Sequence, residues 1–186
     1  MEPTHPFIFD PVKHQSLNVN CHEPKNGEPR VNKNLAGRCG LYCGFCSIHR
    51  AGKDSRKLQE ELAKKYNCRP EEVRCEGCQT IDVSGWSHEA RWGKNCAILK
   101  CLNDRKMEFC CECAEYETCQ KFEEIATLSS ELGTDLRENL RMIKEGKVEE
   151  WLLKEDQKWR CPRCGNPIIN SNEHKTCHWC GQKLRN

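Results

Sequence analysis

The sequence is short of the residues from which ordinary cores are built. Leu, Ile, Val and Phe together supply 33 of its 186 residues, about 18%, below the roughly 20% that globular domains exceed. Methionine and tyrosine occur three times each. So little core combined with a high net charge would signal disorder, but the net charge is only +2. No run approaches the ~20 apolar residues of a membrane span, so no membrane partner is expected. The opening Met1-Glu-Pro-Thr-His-Pro6 has neither the basic nor the apolar stretch of a secretory leader, and a cytoplasmic location is the expectation. A Gly-rich phosphate loop, a Ser–His–Asp signature and internal repeats are all missing. No catalytic residue and no organic cofactor site are therefore assigned.

What the chain has instead is cysteine: 17 residues, about one in eleven. Chains without enough core are held by metals, disulfides or partners. In a reduced compartment clustered cysteines bind metal, and an odd count fits poorly with a pure disulfide framework.

Four segments follow from the distribution of residues. Residues 1–34 contain five of the eight prolines and balanced charge, and read as a flexible arm in which Cys21 is a plain thiol. Residues 35–122 hold twelve cysteines. Within them Asp54 and Ser55 can cap a helix carrying Leu58, Leu62 and Tyr66, with Glu60–Lys64 and Glu61–Lys65 pairs on its wet face. Residues 123–156 contain no cysteine and read as helices punctuated by Gly133 and Gly146, with Asp135 and Glu138 as a capping box. Residues 157–186 form a last module with six basic residues and one acidic. The expected fold class is α+β: a small metal-stabilised helical core, a helical arm packed on it, and a C-terminal zinc ribbon with a strand at Pro167-Ile168-Ile169.

The C-terminal motif is the most specific. Cys161-Pro-Arg-Cys164-Gly165 and Cys177-His-Trp-Cys180-Gly181 are two C-x2-C-G knuckles. Two intervening residues let one tight turn present both thiolates to one ion, and glycine tolerates the positive φ that follows. Four thiolates suit closed, structural, tetrahedral zinc, and this segment resembles the zinc-ribbon family. His174 and His178 read as surface residues, and Trp159 and Trp179 as packing beside the knuckles.

The central cysteines are grouped as Cys39-Gly-Leu-Tyr-Cys43-Gly-Phe-Cys46, then Cys75 and Cys78, Cys96 and Cys101, and Cys110, Cys113 and Cys119. Over about half the chain this pattern resembles the family known as domain of unknown function 3795, with its opening Cys-Gly-Leu-Tyr-Cys-Gly-x-Cys motif, C-x-G-C knuckle, cysteine-bearing helix and Cys-x-Glu-Cys stretch. The resemblance implies cysteine-bound metal and no settled activity. Cys68 and Cys111 fall outside it. The ten matching cysteines exceed two four-thiolate sites, so at least one is expected to be an ordinary buried thiol; a third site would need Cys68, Cys111 or histidines such as His49 and His88.

Two metals fit the core. Zinc suits paired knuckles, Cys75/Cys78 with Cys110/Cys113, and is the first reading. An iron–sulfur cluster for electron transfer is the second. The Cys39-x3-Cys43-x2-Cys46 spacing is similar to that of radical S-adenosylmethionine enzymes, but no βα pattern follows it, so that reading ranks last. The function expected is a metal-bound module for a protein partner. Each four-thiolate zinc site carries about −2, so two to four of them would take the nominal +2 chain to an acidic one. Only the ribbon, with Arg160, Arg163, Lys175, Lys183 and Arg185, offers a basic face to nucleic acid; the same face could dock on the acidic helical arm.

Overall fold

The computed structural model describes residues 31–89 and 91–184. The expectations placed on residues 1–30, including Cys21, lie outside the described residues. Seven α-helices follow in order: α1 Ser47–Asp54, α2 Arg56–Tyr66, α3 Ile81–Ser84, α4 Ala97–Arg105, α5 Gln120–Glu131, α6 Leu136–Lys144 and α7 Val148–Lys158. Short 3-10 turns fill the connections, among them Cys43–Phe45, Pro70–Glu72, Cys110–Glu112 and Tyr116–Thr118. Among the described residues no helix is long and apolar enough to cross a membrane.

The α+β expectation is corrected. Among the described residues there is no strand, only the isolated bridges Ala36↔Tyr42, Arg160↔Pro167 and Thr176↔Lys183. Each C-terminal knuckle folds back after its glycine, and the flanking chain makes two bonds: Cys161 N–H to Asn166 O and Ile168 N–H to Trp159 O at 2.8 and 2.9 Å, and Cys177 N–H to Gln182 O and Leu184 N–H to Lys175 O at 2.8 and 2.9 Å. The chain then leaves: Asn170 N–H donates to Phe45 O at 3.2 Å, and Ile169 is buried with α1 and α2 residues. Packing on the helices wins over extending a ladder.

Caps and stops explain the helix boundaries. Ser55 Oγ accepts from Leu58 N–H at 3.3 Å and starts α2, whereas Asp54 ends α1. The wet-face pairs of α2 differ from those expected: Arg56 binds Glu60, Lys57 faces Glu61, and Lys65 reaches Glu173 beyond its own helix. Asp135 Oδ1 accepts from Arg137 and Glu138 N–H at 3.0 and 3.1 Å and starts α6; Glu138 is drawn away to Arg141 instead of closing a capping box. Gly133 and Gly146 adopt positive φ, 74° and 76°, at the ends of α5 and α6.

The three C-terminal helices share one apolar cluster with the cysteine region. Phe122, Leu136, Leu140 and Trp151 are buried together with Cys39, Cys43, Cys110 and Cys111. Buried Asn139 of α6 donates to Gly40 O at 2.9 Å, so the first cysteine motif is pinned by a helix about a hundred residues away. A second cluster joins Ile48, Leu58, Leu62, Val73 and Trp86.

Candidate metal centres

Both cysteine regions are built from turns that present sulfur, and they do it differently. In the C-terminal region, Gly165 and Gly181 sit at φ +71°, and their N–H groups return to Cys161 O and Cys177 O at 2.9 Å. The four sulfurs of Cys161, Cys164, Cys177 and Cys180 converge within 4.8 Å of one another. Cys161 Sγ lies 3.7 Å from Cys180 Sγ, and Cys164 Sγ 3.8 Å from Cys177 Sγ. Zn–S bonds of about 2.3 Å at the tetrahedral angle put sulfurs about 3.8 Å apart. The backbone N–H of Cys164 leads in pulling the Cys161 thiol down to about 6, while burial pushes Cys177 up to about 12. Cys161 is therefore the sulfur readied as a thiolate for an arriving cation.

This C-terminal segment is locked to the helices. His178 Nε2 meets Asp54 Oδ2 at 3.0 Å with both side chains largely buried, which differs from the surface role expected for it. Asn170 Nδ2 donates to Leu132 O at 2.9 Å, and the rings of Trp159 and Phe45 meet edge-on at 5.2 Å. Trp179 is 43% exposed and does not fill a core. His174 is half-buried, with Nδ1 2.8 Å from Ser171 Oγ.

The central thiols repeat one local design three times. A 3-10 turn leads into an extended cysteine, which stands at a helix N-terminus: Cys46 before α1, Cys96 before α4 and Cys119 before α5. Gly77 of the Cys75-Glu-Gly-Cys78 knuckle holds φ +106°, and a methyl group on it would collide with the Asn34 carbonyl. Only glycine lets that knuckle close against the chain entering the core.

Two neighbourhoods result. In the first, Cys43 Sγ lies 3.8 Å from Cys78 Sγ. The pair shares a proton: the bond to Cys78 leads in raising Cys43, and the same bond, helped by the Arg38 N–H and charge, lowers Cys78 to about 7. Cys46 faces Cys75 and Cys78, and burial raises it. His49, also buried, has Nδ1 2.6 Å from the Cys75 carbonyl and so braces that knuckle. In the second, Cys101, Cys110, Cys113 and Cys119 line one cavity of about 290 Å³ with Arg105 and Lys121. Arg105 donates to Cys113 Sγ at 3.2 Å and to Glu115 at 3.3 Å. Burial, then the charge of Cys119, pushes Cys110 up to about 12. Cys39, raised well above the usual thiol range by burial, lies among Cys78, Cys110 and Cys96 and joins the two neighbourhoods. Cys111 faces a separate hollow with Ile143 and Lys144.

In contrast to the C-terminal four, no three of these central cysteines bring their sulfurs within 4.8 Å of one another. Cys75 and Cys78 therefore do not meet Cys110 and Cys113 at one point. The sequence reading missed Arg105 and Arg38. Arg105 follows Cys101 by one helical turn, a spacing that could have marked it; Arg38 carries no such signal. Taken together, the chain is cysteine-rich with cysteine clusters that could hold metal ions.

No curated protein and no solved structure matches this chain. Residues 35–124, the stretch that holds both central neighbourhoods, match the family model described as "Protein of unknown function (DUF3795)", which supports placing this stretch in that family.

Proposed function

We propose that this is an iron–sulfur protein of the electron-transfer class whose C-terminal knuckles form a zinc ribbon held by structural zinc. One observation carries the reading: Cys101, Cys110, Cys113 and Cys119 line a half-open pocket of about 290 Å³ without converging. A lone tetrahedral ion draws its sulfurs together and leaves no such space. An iron–sulfide core interposed between four thiolates needs both the wider spacing and the room. The residues suit its charge as well. Arg105 donates to Cys113 and Lys121 lines the cavity, so cations stand beside an anionic centre. The dipole of α5 starts at Cys119. The bound cluster would supply one-electron chemistry; the chain positions it, neutralises it and, through Phe122 and Leu102, walls it with apolar side chains.

The C-terminal assignment rests on the 3.7 and 3.8 Å sulfur spacings. Zinc in the first central neighbourhood is the second reading, favoured by the 3.8 Å between Cys43 and Cys78.

Anaerobic purification followed by absorption, iron, zinc and acid-labile sulfide analysis tests this. Brown protein with iron, sulfide and zinc in one chain is expected. Colourless protein with zinc as its only metal would overturn the cluster and leave the second reading.

A further inference from the structure

We propose that Cys68, Glu72 and His88 form an exchangeable site for one zinc-type divalent cation, independent of the cysteines discussed above. Their donor atoms lie within 4.8 Å of one another. They come from two separate loops, and each is held in place by something other than its companions.

Helix α2 ends on Asn67 in the left-handed conformation, φ 50°, and Cys68 N–H turns back to Ala63 O at 3.0 Å. This reversal carries Cys68 off the helix. Pro70 then opens a tight turn whose last residue is Glu72. Glu72 Oε2 accepts from Arg69 N–H at 2.8 Å and from Arg69 Nε at 3.2 Å. One carboxylate oxygen is thereby fixed, and the other is left to face His88. The imidazole lies against Trp86, with ring centroids 5.0 Å apart. Trp86 is buried, with its indole N–H unpartnered, and it packs edge-on against Tyr66. Ligands oriented by outer groups in this way are what a metal site requires.

The distances point the same way. His88 Nε2 stands 3.7 Å from Glu72 Oε1, too far for a hydrogen bond. Two ligands of one tetrahedral ion, each about 2.0–2.1 Å from it, stand about 3.4 Å apart. A thiolate, an imidazole and a carboxylate together select zinc over magnesium or calcium. With Cys68 and Glu72 ionised and His88 neutral, the loaded site has no net charge, whereas four thiolates around zinc carry about −2. His88 is open to solvent, so a fourth position is accessible to water. A neutral, three-ligand, open site exchanges its ion more readily than a closed four-thiolate one.

The test uses the full-length protein with its retained metal, reduced and dialysed against a weak chelator, then titrated with zinc by equilibrium dialysis and elemental analysis. One additional zinc per chain should bind reversibly. Cys68→Ser and His88→Ala should each weaken that step at least tenfold, with retained metal and melting temperature unchanged. Because His88 is exposed, its variant reads the site without disturbing the core. No additional zinc in the wild type, or affinity within twofold of wild type in both variants, would overturn the proposal. The retained iron and zinc report separately on the function proposed above.

Discussion

The C-terminal knuckles and the central cysteines use the same side chain to solve opposite problems. At the C-terminus two short turns, each closed by a glycine, bring four sulfurs to one point. In the centre, sulfurs arrive from helix starts and 3-10 turns spread over 81 residues, from Cys39 to Cys119, and fall into two neighbourhoods, in neither of which three of them converge on one point. The first arrangement is local and can close by itself around an ion. The second exists only after α4, α5 and α6 have packed, so its geometry is a property of the tertiary core.

Removing one thiol from each region should separate them most strongly. Cys161→Ser is expected to release the C-terminal ion, worth on the order of 10 kcal/mol to a small metal fold. Proteolysis should then cut within residues 160–184 while the iron and sulfide proposed for the centre remain; loss of both metals together would erase the distinction. Gly77→Ala should do the reverse. It forces a methyl into the Asn34 carbonyl at φ +106° and should destabilise by at least about 1–3 kcal/mol. Its readout is a lower denaturation midpoint with the C-terminal segment still protected from proteolysis, and an unaltered midpoint would contradict the role given to this glycine. Asn139→Ala leaves the buried Gly40 carbonyl without its donor, an expected loss of about 1–3 kcal/mol in chemical denaturation. If instead it leaves both stability and central metal untouched, α6 does not support the first cysteine motif. The smallest effect belongs to Lys65→Ala. Its exposed pair with Glu173 should contribute about 0.2–1 kcal/mol, and salt should abolish the difference between variant and wild type.

The same contrast sets what could be read from the sequence. The C-terminal four were legible because their whole geometry lies in two spaced repeats of C-x2-C-G. Helix α2 with Leu58 and Leu62, the Asp135 cap and the Gly133 and Gly146 stops were legible for the same reason: each is decided within a few residues. The grouping of Cys101, Cys110, Cys113 and Cys119 was not legible, because it depends on how α4 meets α5. Nor was the helical class. Pro167-Ile168-Ile169 has the composition of a strand, but Asn170 and Ile169 find partners on Phe45, α1 and α2 that a local reading cannot weigh. The burial of His178 on Asp54 was hidden likewise, since its partner lies 124 residues away.

The three cysteines that begin α1, α4 and α5 have a consequence for the life of the protein in the cell. None offers the oxygen acceptor that Ser, Thr, Asp or Asn gives a helix start, and none makes a side-chain capping hydrogen bond. The helices that follow run 8, 9 and 12 residues, too short to persist alone in water. A newly made chain therefore has its weakest joints where metal would stiffen them. If metal is bound at these cysteines, its loss should fray those starts and open them to degradation, so the amount of this protein should follow metal supply without any dedicated sensor.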